Sequence, residues 1–135
     1  MRDIGIFTSK RVPLEELVEF MRSYASGVGQ PLERRSHESV LGEPPDVLYV
    51  LDATAATDGY FSDEEKAAIE SKLGATLEGY VSVHFTSTHN AFTLADALAH
   101  EIGRMWHGIL DYSGTGGGLA FPPNQIGGSK SPKED

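Results

Sequence analysis

Five histidines and twenty carboxylates are the side chains through which this 135-residue chain could ligate a metal or move a proton. It has no cysteine, so thiolate nucleophiles, Cys-based zinc sites and disulfides are excluded. His100-Glu101 with His107 resembles the start of a zincin helix. That helix needs its second histidine four residues after the first, with glutamate next to the first. Here the spacing is seven, nearly two turns, which separates the imidazoles by about 10 Å along the axis. A zinc–imidazole bond is only about 2 Å long, so one ion could bind both only with long side-chain reach. His84 and His89 fall on or just after the preceding strand. A cluster of His84, His89, His100 and His107 is conceivable and supports one alternative, a small metal-dependent enzyme or sensor. Against it stands the plainer reading of exposed histidines, with Asp96 and His100 as an i, i+4 pair.

The other motifs carry less chemistry. No Gly-x-Ser-x-Gly elbow is present. The glycine run at 113–118 lacks the Lys-Ser/Thr and the following helix of a phosphate loop, and reads as a linker. Asp52 and Asp58 follow an apolar strand, where α/β enzymes often place acids. Their spacing matches no Mg²⁺ or Ca²⁺ loop. The expectation is therefore no catalytic residues and no cofactor. Charge is more informative. The net charge is −9, and residues 41–80 alone hold nine acids against two lysines. Such a surface repels phosphate backbones, so a nucleic-acid partner is not expected, and it attracts a basic one. Plain solubility is the competing explanation. Tyr60 and Phe61 lie between carboxylates, so Asp52, Asp58, Tyr60, Phe61, Asp63, Glu64 and Glu65 form the candidate partner-binding patch. Trp106, the single tryptophan, is expected at the edge of the core rather than as an interface anchor.

Periodicity supplies the elements that must position these residues. Ile4 and Ile6 alternate with polar residues in a first strand. Pro13 opens a helix with Leu14, Leu17, Val18, Met21 and Tyr24 on its apolar side and a stop at Gly27. Residues 31–41 read as a polar edge strand, Pro44-Pro45 as a turn, and 47–51 as a central strand. Ser62-Asp-Glu-Glu65 is a capping box for a second helix ending at Gly74. Residues 77–86 alternate cleanly as a strand. Thr93 is expected to cap a third helix, with Asp96 as its capping-box acid and Leu94, Leu98, Ile102 and Met105 as its buried stripe. Residues 109–112 form a last strand. The order predicts an α+β domain, a ferredoxin-like βαββαβ sheet with helices on one face and an appended helix–strand unit. Residues 1–112 form this domain, and 113–135 a Gly/Pro-rich flexible tail. The chain lacks an apolar run of the roughly 18 residues needed to cross a membrane, and its first ten residues have no signal core, so a cytoplasmic protein with no membrane partner is expected.

Residues 92–112, Phe-Thr-Leu-Ala-Asp-Ala-Leu-Ala-His-Glu-Ile-Gly-Arg-Met-Trp-His-Gly-Ile-Leu-Asp-Tyr, give an alanine-rich helix, a glycine stop and a short strand ending in aspartate. This unit is similar to the closing unit of small acidic immunity proteins encoded beside bacterial polymorphic toxins. The resemblance transfers no catalytic residue. It implies a non-enzymatic protein that binds and neutralises a toxin through an acidic surface. A third possibility is an oligomeric structural module, for instance a homodimer paired through a sheet edge.

Overall fold

The computed structural model describes residues 2–55, 59 and 61–113. The expected tail, at 114–135, lies outside them. The strands are β1 (Arg2–Thr8), β2 (Leu32–Arg34), β3 (Glu38–Glu43), β4 (Asp46–Leu51), β5 (Thr54–Ala55), β6 (Gly79–Phe85) and β7 (Gly108–Asp111). The helices are α1 (Leu14–Val28), α2 (Asp63–Leu73) and α3 (His89–Met105). All strands join one antiparallel sheet of order β2-β3-β4-β6-β1-β7, with β5 beside β6. The α+β class and the final helix–strand unit are thus observed. The ferredoxin-like strand order is not, because β6 separates the first strand from β4. Its alternating apolar residues fill both positions at once, with Val83 opposite Ile4 on one side and opposite Val50 on the other. The expected edge strand at 31–41 divides into β2 and β3, which pair with each other as Arg34 opposite Ser39.

Side-chain alternation sends Ile4, Ile6, Leu48, Val50, Val81, Val83, Phe85 and Leu110 to one face. Helix α1 covers it with Leu17, Met21 and Ala25, and α3 with Ala91, Ala95, Leu98, Ala99 and Ile102. Small residues at 91, 95 and 99 let α3 sit close to the sheet. The opposite face holds a smaller core of Phe7, Ile69, Leu77 and Ile109, with Phe61, Leu73 and Tyr80 packed on it. Helix α2 supplies Ile69, so the helices do not share one face. Phe7 and Ile109 explain this, because a strand buried on both sides needs cover on both. Tyr80 lies flat across Gly5, where an added Cβ would stand 2.7 Å from the ring. Gly108 brings β7 close to β1, since a Cβ there would stand 2.7 Å from the Phe7 carbonyl oxygen.

The helix ends show local and long-range control. Ser62 and Glu65 form the expected capping box, and Gly74 ends α2 in the left-handed conformation. Helix α1 runs past Gly27 to a left-handed Gly29. Helix α3 starts five residues before the expected point, capped by Thr88 in place of Thr93, and the Thr88 hydroxyl oxygen accepts the Ala91 N–H at 3.0 Å. Thr93 instead donates to the His89 carbonyl. Between β4 and β5 the chain advances from Val50 to Thr54 while its partners on β6 run only from Val83 to Tyr80. One extra residue is therefore accommodated at 51–53, a β-bulge beside Asp52.

Candidate binding surface

The bulge sets the fate of the first patch residue. Asp52 accepts two hydrogen bonds from Arg34, at 2.7 and 2.8 Å. This fork-to-fork pair ties β2 to the end of β4 and raises the already high pKa of the guanidinium, mainly through the hydrogen bond. Asp52 is thus a structural ion pair rather than an open carboxylate. Phe61 packs edge-on against Phe7 at 5.6 Å between centroids and against Tyr80 at 5.8 Å, in the smaller core. Glu65 returns to the Ser62 N–H at 2.9 Å. Asp63 and Glu64 remain exposed in the first turn of α2, where the helix dipole favours negative charge. Asp58 and Tyr60 lie outside the described residues. The structure therefore brings together only part of the expected patch.

The histidines are dispersed. His84 alternates with Val83 and Phe85 and so faces away from the layer that holds α3, opposite Tyr49 and Asp3 on the neighbouring strands. His89 is exposed at the start of α3. His100 uses Nδ1 to reach the Asp96 carbonyl oxygen one turn back, at 2.8 Å. His107 is exposed after α3, with φ of 53°, and its carbonyl accepts the Ser9 N–H and hydroxyl. Among the described residues, no three His, Asp or Glu side chains are placed to hold one metal ion. Asp96 does not cap α3. It accepts the Tyr112 hydroxyl at 2.5 Å, tying α3 to the end of β7. Burial first, then this acceptor and its charge, raise the Tyr112 pKa well above that of a free tyrosine.

Two larger recesses remain among the described residues. One, of about 440 Å³, lies at the start of α3 and is lined by Arg2, Phe85, Ser87, Thr88, His89 and Phe92. Beside it the Asp46 carboxylate takes hydrogen bonds from the Thr88 hydroxyl at 2.6 Å and the Asn90 amide at 3.3 Å. An acid from the β3–β4 turn already answers this helix end.

The other recess, of about 550 Å³, runs between α1 and the end of α3. Glu16, Phe20 and Ser23 recur at helical spacing along α1 and form one wall. Met105 and Trp106 form the other, and Tyr24 lies between. Phe20 stacks on Tyr24 at 6.0 Å and meets Trp106 edge-on at 5.4 Å. Trp106 is buried, 3% exposed, and supports the groove from below, as expected of a core-edge residue. Met105 was expected in the buried stripe of α3, yet it is 52% exposed, because the helix ends there and the chain turns into β7. Glu16 and Glu19 stand on the rim, Glu19 paired with Arg22. Glu101 lies near enough to Tyr24 to add to the effect of burial, and together they raise the tyrosine pKa. Met105 was missed as a surface feature because its spacing fits the buried stripe of α3, and Phe20 because Leu14, Leu17, Val18, Met21 and Tyr24 define the apolar side of α1 without it. Their signal in the sequence is an excess of apolar residues over what one sheet face can cover. Comparison with protein-family models, with curated proteins and with solved structures finds no match to this chain.

Proposed function

We propose that this protein is a non-enzymatic binding module of the immunity type, which neutralises a toxin by covering part of its surface. The observation that carries the reading is the α1–α3 groove, an aromatic-walled recess with a half-exposed methionine at its lip and carboxylates on its rim. Aromatic side chains and methionine supply contact area in protein interfaces, and a charged rim supplies orientation and fast encounter. The net charge of −9 suits a basic partner, and a nuclease or nucleotide-directed toxin carries such a cleft.

The test is purification together with the products of neighbouring genes, followed by titration of the isolated pair. A stable complex with a toxin-like protein is the expected result. Met105→Asp, at an exposed position, should weaken it by about tenfold or more while leaving the fold intact. A neighbourhood without a binding partner overturns the antidote reading. A complex indifferent to Met105→Asp moves the contact to another face.

A further inference from the structure

Resting on the binding reading above, we propose that the α1–α3 groove receives an arginine side chain from a basic, amphipathic segment of the partner protein. The floor and walls hold three rings, with Phe20 packed against both Tyr24 and Trp106. The charged side chains that line the groove, Glu16 and Glu19, are both acidic. Helices α1 and α3 together carry Glu15, Glu16, Glu19, Asp96 and Glu101 against Arg22 and Arg104, five acids to two bases. Both arginines are already engaged, Arg22 with Glu19 and Arg104 with Glu101, as exposed i, i+3 pairs. Such pairs contribute little and rearrange readily. Glu16 has no ion-pair partner among the described residues, although it lies on the rim within the same lining as Phe20.

An occupant must therefore be apolar along its length and cationic at the carboxylate edge. Lysine and arginine both have apolar stems, but the planar guanidinium also stacks on rings and bonds a carboxylate with two parallel N–H groups. In this groove the stem lies along Met105, the plane against Phe20 or Tyr24, and the N–H fork meets Glu16. Tyr24 is a neutral phenol at neutral pH, and partial burial, then the nearby Glu101, move its pKa further up, so it adds a donor and no competing negative charge.

The probe is a blocked amphipathic peptide of about twelve residues made of leucine, alanine and arginine at helical spacing. Two matched controls carry citrulline or glutamate in place of arginine. Binding is followed on the full chain by the indole N–H resonance of Trp106 and the amides of α1. The arginine peptide should shift these resonances saturably, and the citrulline peptide should bind about tenfold more weakly. Glu16→Gln with Glu19→Gln, both at exposed positions, should lower affinity for the arginine peptide by a similar factor without altering the spectrum elsewhere. Equal binding of the citrulline peptide, no response to the arginine peptide, or indifference to the double substitution each overturns the proposal. So does a dimer in sedimentation whose dissociation by Met105→Asp shows that a second copy fills the groove. A toxin-like partner that binds the Glu16→Gln, Glu19→Gln protein at full strength refutes the arginine and leaves the binding reading standing. The peptide result with no partner among neighbouring gene products does the reverse.

Discussion

Asp52 illustrates how one partner changes the meaning of a side chain. An aspartate after an apolar strand offers an open ligand, until Arg34 folds across from β2 and takes both of its oxygens. Asp52→Asn should lower stability by about 1–2 kcal/mol, since a charge-assisted fork is lost and a partly covered guanidinium is left behind. Urea denaturation with an unchanged m-value checks it, and partner affinity should stay as it is. Tyr112 sets a pH limit. An unfolded tyrosine loses its proton near pH 10, whereas the buried hydroxyl on Asp96 keeps it to higher pH. Above about pH 10 the unfolded chain therefore binds fewer protons than the native one, and stability falls as pH rises. Tyr112→Phe should be less stable at neutral pH and lose less stability between about pH 10 and 12. Unfolding curves across that range test the sign.

At the scale of elements, what could be read in the sequence was what neighbours in the chain decide. The Ser62–Glu65 box, the Gly74 stop and the alternation of β6 all depend on residues a few positions apart. Thr88 and Thr93 mark where that ends. Thr93 has an acid three residues later and Thr88 has Ala91, so local chemistry favours the wrong cap. The hydroxyl of Thr88 also meets Asp46, 42 residues upstream, and that contact belongs to the folded sheet. The candidate site was legible only in part for the same reason. Phe61 reads as an exposed aromatic between acids, yet it finishes the small core on Phe7 and Tyr80. The packing of Tyr80 over Gly5 has a direct check. Gly5→Ala drives a methyl group into the Tyr80 ring and should destabilise by about 1–3 kcal/mol. In Gly5→Ala with Tyr80→Leu most of the clash should vanish, so a double-mutant cycle reads the contact between strand and ring.

For the molecule as a whole, charge and groove do different work. The net charge of −9 acts at a distance and governs encounter, while the rings of the α1–α3 groove act on contact and govern residence. Asp63→Lys with Glu64→Lys removes two negative charges and adds two positive ones at an exposed helix start. It should slow association by about tenfold at low ionic strength and by little at about 0.5 M salt, with the dissociation rate nearly constant. Stopped-flow mixing over a salt series measures both rates.

Strand β1 lies between β6 and β7, the last two strands among the described residues. On a ribosome, Ile4 and Ile6 must therefore wait for residues 79–111 before either side of their strand finds its pairing. Until then the β2–β3–β4 meander has no sheet to join, and most of the nascent domain is exposed to chaperones and proteases. Stalled chains ending near residue 75 should be cleaved readily, and protection should appear abruptly once β7 clears the exit tunnel.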